Sequence, residues 1–138
     1  MIKIIIIFIL LINIILLYSL DLEPTTFEEI VLKDDRVWLI EFYSSMCGSC
    51  KEFEPIWNKI EISMKSIVTG KINVDTSAGS KLANQLGVFN EGIPNIKLYK
   101  NQLVDNAISI MAGEELSAKA IIQSVRRLTT DLTRRDDG

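Results

Sequence analysis

The chain has 138 residues, of which 48% are hydrophobic and 24% are charged, and it contains 2 cysteines and no histidine. This length is typical of a single domain that buries a core without a dense set of disulfides. The absence of histidine excludes Ser/His and Cys/His catalytic pairs and imidazole ligands for zinc or haem. Two cysteines alone are too few for a four-thiolate metal site. The net charge of −3 argues against a broad nucleic-acid surface.

The first 20 residues are strongly apolar. Lys3 precedes a run dominated by isoleucine and leucine, and the first acidic residue is Asp21. This layout is typical of a secretory signal peptide, which we predict over residues 1–20, with the small residue Ser19 at the cleavage position. An uncleaved anchor is the alternative, because residues 4–20 approach the roughly 20 apolar residues that span a bilayer.

The remaining chain has the composition of a soluble domain, predicted over residues 21–130 and followed by a polar tail over 131–138. Hydrophobic periodicity and turn residues predict the order α-β-α-β-α-β-β-α. In chain order the predicted elements are a helix over 27–33 opened by a capping box at Thr26, a strand over 36–43, a helix over 47–66, a strand over 68–75, a helix over 77–86, a hairpin of strands over 93–100 and 103–111, and a helix over 114–128. The polar residues from Thr129 onward are expected to fray.

The main chemical signal is the motif CGSC at residues 47–50, between a predicted strand and a predicted helix. The free amides and the positive dipole end of a helix stabilise the thiolate of Cys47, while Gly48 gives the backbone latitude for the turn. We interpret Cys47 as the nucleophile that attacks a disulfide, and Cys50 as the thiol that resolves the mixed disulfide. A static disulfide and half of a zinc site completed by a second chain are the alternatives, although a short disulfide loop gains little entropy.

Several segments together resemble the thioredoxin superfamily, and within it the protein disulfide isomerases. Residues 42–51, FYSSMCGSCK, resemble the pattern F-Y-A-x-W-C-G-x-C-K, and residues 71–75, KINVD, resemble K-x-N-x-D. Residues 92–101 resemble G-x-P-T-x-x-x-F-x-x-G, and Pro55 matches the proline of the family's active-site helix. The resemblance extends over residues 25–128 and implies a single-domain α/β thioredoxin-like fold, with a central mixed β-sheet flanked by helices.

The resemblance also implies roles for residues outside the dithiol. Pro94 matches the family's cis-proline beside the dithiol, and the preceding Ile93 then presents backbone groups to an extended substrate. Glu41 and Lys71 match the family's buried acid and its lysine partner. A buried carboxylate has a raised pKa and can take the proton from Cys50 as that thiol attacks. The alternatives are an ordinary trans proline and a Glu–Lys pair that serves solubility.

The chain departs from the family pattern around the dithiol. Met46 stands where the family has Trp and is predicted to contact substrate, Asn95 replaces a Thr, and the loop over residues 89–93 is longer than the family's. Ser49 stands where isomerases place a histidine, whose positive charge stabilises the thiolate and makes the disulfide more oxidising. We therefore expect Ser49, with its neighbour Gly48, to tune the dithiol toward a less acidic first thiol and a more reducing pair.

The sequence thus predicts a thiol–disulfide oxidoreductase of the secretory pathway, located in the endoplasmic reticulum lumen or secreted. It is expected to act on protein cysteines through Cys47 and Cys50, to lean toward reduction, and to need no bound cofactor or metal. Its expected partners are client proteins with cysteines or disulfides and an unidentified electron donor or acceptor, with no nucleic acid. A non-catalytic thioredoxin-fold binding or chaperone-like module is one alternative. A membrane-tethered reductase with an uncleaved N-terminal segment is the other.

Overall fold

The structure is a computed structural model that describes residues 3–7, 20–100, 107–113 and 117–136. Most of the predicted signal segment lies outside these residues, as do the predicted hairpin turn and the predicted start of the last helix, so these expectations stay predictions. Within the described ranges, no helix is both long enough and apolar enough to cross a membrane.

A mixed five-stranded sheet forms the centre of the domain. Its strands are β1 (Leu20–Asp21), β2 (Trp38–Tyr43), β3 (Val68–Asn73), β4 (Asn95–Tyr99) and β5 (Ile108–Ala112). They lie in the order β1-β3-β2-β4-β5, with β2 parallel to β3 and antiparallel to β4. This arrangement confirms the predicted mixed sheet and the central position of β2. The short β1 crosses the predicted domain boundary, because Leu20 pairs with Gly70.

Helices cover both faces of the sheet. They are α1 (Gly48–Ser63), α2 (Ser77–Gln85), α3 (Val88–Glu91) and α4 (Ala118–Asp136). One core cluster joins Leu39 of β2 to apolar side chains of α1 and α4, and the other joins Trp38, Ile40 and Phe42 to the N-terminal segment and α2. Since side chains alternate along a strand, Glu41 lies on the same face as Leu39, under α1.

The first helical region differs from the prediction. A 3₁₀ turn (Pro24–Thr26) leads into a π-helical turn (Glu28–Leu32), and no side chain caps it. The predicted capping box is wrong, because the Thr26 hydroxyl donates to the carbonyl oxygen of Glu23 at 3.0 Å. Phe27, Val31 and Leu32 are buried in the core, so tertiary packing determines the local geometry of this segment.

The last helix continues to Asp136, where the sequence predicts a fraying tail from Thr129. Its apolar stripe extends past Val125 and Leu128 to Leu132, and both leucines pack against the core formed with α1. This packing extends the helix and makes the prediction of a frayed end wrong for the described part of the tail.

Candidate active site

Cys47 is the N-cap of α1. Its Sγ accepts a hydrogen bond from the backbone N–H of Cys50 at 3.2 Å, as helix-start geometry favours. Cys47 is partly exposed, whereas Cys50 is only 4% exposed, and both are free thiols. An incoming disulfide can therefore reach Cys47 first, while Cys50 lies beneath it in the first helical turn.

The two thiols have opposite pKa shifts. Burial alone would raise the pKa of Cys47, but hydrogen bonds from Cys50 and Ser49 outweigh it and hold the pKa below its ordinary value. Burial raises the pKa of Cys50 to about 12, helped by its hydrogen bond to Cys47 and by the charges of Cys47 and Glu41. The thiolate is thus favoured at Cys47, whereas Cys50 is held in its protonated form.

Ser49 contacts the first thiol directly. Its Oγ lies 3.1 Å from the Sγ of Cys47. When Cys47 is ionised its sulfur can only accept, so the Ser49 hydroxyl is then the donor. In the sequence Ser49 stands out as the absence of a histidine, whereas in the structure the serine hydroxyl can itself donate a hydrogen bond to the thiolate.

Glu41 and Lys71 form a pair under the dithiol. They are direct neighbours in the β2–β3 register, and the Nζ of Lys71 lies 3.5 Å from the Oε2 of Glu41. This distance indicates an ion pair rather than a short hydrogen bond. The Lys71 ammonium also lies 4.5 Å from the ring centre of Tyr43. Burial raises the pKa of Glu41 to about 7, although Lys71 opposes this shift.

A cleft connects the buried carboxylate with the buried thiol. Its volume is about 210 Å³, and its lining consists of Glu41, Tyr43, Ser44, Ser45, Cys50, Lys51, Glu54 and Lys71. A cleft of this size admits water, which can carry a proton between two groups that line it. Among the residues that the structure describes, no group of three or more His, Cys, Asp or Glu side chains could hold a metal ion.

Asp75, the last residue of the KINVD motif over residues 71–75, is a further residue of the site. It accepts hydrogen bonds from the Ser44 hydroxyl at 2.6 Å, the Ser45 backbone N–H at 2.7 Å and the Ser45 hydroxyl at 2.6 Å. These hydrogen bonds hold the pKa of Asp75 below its ordinary value. They tie the loop before Cys47 to the end of β3. Nothing in the local sequence indicates this contact across the fold.

The Ile93–Pro94 peptide bond is cis, as the resemblance predicts. Pro94 immediately precedes β4, whose first residue Asn95 pairs with Phe42 near the end of β2. The segment before β4 therefore lies at the same edge of the sheet as the loop that leads to Cys47. The predicted substrate contacts of Ile93 and Pro94 stay predictions.

The position before the first cysteine is open to solvent. Met46 is 81% exposed, which leaves a flexible apolar side chain beside the dithiol. Its predicted contact with substrate stays a prediction.

Comparisons with known proteins agree with this geometry. The sequence model of the Thioredoxin family matches residues 19–127. Protein disulfide-isomerase A6 of Mus musculus is 36% identical over 116 residues, which cover 81% of this chain and 25% of that protein. Protein disulfide-isomerase TMX3 of Homo sapiens is 42% identical over 78 residues, covering 54% of this chain and 16% of that protein. The chain therefore spans a quarter or less of the length of these relatives.

A solved structure agrees as well. The crystal structure of the Trx4 domain of ERdj5 has a TM-score of 0.67 and 25% identity, and the match covers 80% of this chain and 95% of that domain.

Proposed function

We propose, because the chain belongs to the thioredoxin family, that it is a thiol–disulfide oxidoreductase acting on protein cysteines. The observation that carries this proposal is the pairing of a partly exposed N-cap thiol, Cys47, with a buried thiol, Cys50, that shares a cleft with Glu41. Relatives named as protein disulfide-isomerases support it.

In the reducing direction the reaction has two exchange steps. The Cys47 thiolate attacks one sulfur of a substrate disulfide, and the other substrate sulfur leaves as a thiolate that takes up a proton. Cys50 then gives its proton to the Glu41 carboxylate through the cleft and attacks the Sγ of Cys47. The second substrate thiol is released, and a Cys47–Cys50 disulfide forms. Two electrons have passed from the dithiol to the substrate, so no bound cofactor is required.

A Cys50→Ser variant tests whether proteins are the substrates. Without the resolving thiol, the mixed disulfide formed by Cys47 should persist, so client proteins should remain covalently attached until a reducing agent releases them. Mass spectrometry of non-reduced adducts measures this outcome. The matched control is the double variant Cys47→Ser/Cys50→Ser, which should trap nothing. Adducts with small thiols alone would contradict the assignment of protein substrates.

A non-catalytic binding module is the second candidate function. The exposed apolar side chains of Met46 and Phe89, which are 81% and 45% exposed, favour it. Binding alone would not require the pKa of the two thiols to shift in opposite directions. The trapping experiment separates the two functions, because a pure binding module captures clients without a covalent bond.

We further propose that the dithiol leans toward reduction, because Ser49 places a neutral donor rather than a cation beside Cys47. The wild-type reduction potential should then lie near that of thioredoxin, about −270 mV, rather than near about −180 mV as in protein disulfide isomerase. The N-terminal pattern of Lys3 and a long apolar run supports a secretory location. An external electron donor would have to renew the reduced dithiol there.

Substitutions at Ser49 test this tuning. Ser49→Ala should lower the thiolate fraction of Cys47 at neutral pH by up to about tenfold, since a hydrogen bond to a charged group is worth about 1.5 kcal/mol. Ser49→His should increase the thiolate fraction and shift the reduction potential to less negative values. Ultraviolet titration of the thiolate and glutathione equilibration measure these effects. Ser63→Ala, at the other end of α1, is the control and should change neither quantity. An unchanged titration in Ser49→Ala would contradict the tuning role.

A further inference from the structure

The longer loop before Pro94 contains a carboxylate held by several donors. Helix α3 ends at Glu91, whose Oε1 and Oε2 lie 2.8 and 2.9 Å from the Nζ of Lys97. Its Oε2 also accepts from the amide of Asn95 at 3.0 Å and from the hydroxyl of Ser109 at 3.0 Å. Donors from two neighbouring strands, β4 and β5, therefore converge on one side chain of the loop.

We call Glu91 and its donors Lys97, Asn95 and Ser109 the Glu91 cluster. The ion pair in this cluster is shielded from solvent on the lysine side. The Lys97 side chain is 4% exposed and that of Glu91 is 34% exposed. Burial would raise the pKa of Glu91, but hydrogen bonds from Lys97, Asn95 and Ser109 outweigh it and hold the pKa below its ordinary value. Because a buried ammonium needs a counter-charge, Lys97 provides a strong attachment point for the loop on the sheet.

Asn95 links the same carboxylate to the chain just before Pro94. Its amide nitrogen also donates to the carbonyl oxygen of Gly92 at 3.3 Å, and the residue is fully buried. A threonine hydroxyl has a single hydrogen to donate, so it could not donate to both acceptors. Asn95 is thus hydrogen-bonded to the longer segment over residues 89–93, although in the sequence the two are separate departures from the family pattern.

Close backbone packing also restricts the conformation of the segment from Gly92 to Pro94. Gly92 has a φ of +97°, and a Cβ placed on it would lie 3.2 Å from the Cα of Gly113. The Gly113 backbone N–H donates to the carbonyl oxygen of Pro94 at 3.1 Å. The segment from Gly92 to Pro94 therefore packs against the end of β5 on one side. On the other side, the hydrogen bonds of the Glu91 cluster hold the N-terminal end of this segment.

We propose that Glu91 is a positioning residue that holds the Gly92–Pro94 segment in one conformation for peptide substrates. This inference rests on the proposed function. The sheet register puts this segment at the end of the sheet where the chain leads to Cys47, so a peptide joined to Cys47 can contact it. A preordered segment lowers the entropy lost when a peptide binds, whereas a small disulfide that contacts only the dithiol gains little from that order.

Steady-state kinetics on two substrates test the role of Glu91. Glu91→Ala should raise KM for reduction of a disulfide-bonded peptide by about tenfold, with a much smaller change in kcat. The rate with a small aromatic disulfide should fall far less. Glu91→Gln keeps the size of the side chain and one acceptor oxygen, so it should give an intermediate KM. Glu29→Gln removes the same charge from an exposed side chain on another element and serves as the control.

The outcomes separate this inference from the proposed function. An unchanged peptide KM in both Glu91 variants overturns the positioning role, and so does an equal loss on both substrates. If wild type reduces neither the peptide nor the small disulfide, the proposed function itself fails.

Discussion

Replacing Cys47 by serine should reduce the rate of insulin disulfide reduction by at least about a thousandfold, because a serine hydroxyl is not ionised at neutral pH and cannot replace the thiolate. The loss should reach background, since the other of the 2 cysteines, Cys50, is only 4% exposed. The turbidity of the precipitating insulin B chain measures turnover directly.

Cys50→Ser is the matched control for this loss. It should form one mixed disulfide per molecule in a single burst and then stop, whereas Cys47→Ser should show no burst. Because the two variants make the same atomic change one helical turn apart, the difference isolates the nucleophile. Retained turnover in Cys47→Ser would remove the basis for the enzymatic proposal.

Replacing Glu41 by glutamine should slow resolution of the mixed disulfide by about a hundredfold near neutral pH, the lower end of what general acid–base catalysis contributes. Burial raises the pKa of the Cys50 thiol, so this thiol is protonated at neutral pH and needs an acceptor. The wild-type resolution rate should rise through the Glu41 pKa of about 7, and this rise should be absent in the variant. Stopped-flow release of a fluorescent leaving thiol gives the profile.

Glu54→Gln is the control for the Glu41 experiment, because Glu54 lines the same cleft but is exposed and affects the Glu41 pKa less than burial, Lys71 and Glu61 do. It should change the resolution rate less than about twofold. At high pH, where Cys50 ionises without help, the deficit of Glu41→Gln should shrink. A Glu41→Gln variant with the wild-type pH profile would rule out Glu41 as the proton acceptor.

The same substitution should also change the pH dependence of stability. Burial raises the Glu41 pKa from 4.5 to about 7, so the folded state binds this proton more tightly than the unfolded chain does. Ionisation of Glu41 therefore lowers the free energy of unfolding as the pH rises through this window, by about 3 kcal/mol. The stability of Glu41→Gln relative to wild type should increase by that amount over the window. Urea denaturation at both ends of the range measures it, and Glu54→Gln should show no such trend.

The proposed roles of the two thiols depend on differences in burial over a single helical turn. Cys47 caps the helix at its exposed end, and Cys50 turns inward toward Glu41 and β2. The spacing of the motif is local, so it was readable from the sequence. The depth of Cys50 and the pKa of Glu41 depend on the sheet packed beneath the helix, which no local pattern describes.

The elements that differ from their prediction also depend on packing across the fold. The sequence predicts a regular helix after Phe27, but Val31 and Leu32 are buried in a π-helical turn instead. Helix α3 was predicted only as a longer loop, since four residues are too few to show a helical period. Helix α4 extends further than its last predicted core residue because Leu132 continues the stripe that packs against α1.

Four features could be predicted from the sequence: the dithiol, its place between strand and helix, the central apolar strand and the family pattern. All of them are properties of neighbouring residues or of regular periods. Contacts between residues that are distant in the chain could not be predicted and are seen only in the folded protein. It brings Asp75 to the loop before Cys47, Lys71 to within 3.5 Å of Glu41, and Lys97 to the Glu91 carboxylate. Such contacts depend on strand register and on the low polarity of the interior, and both arise only when the whole chain has packed.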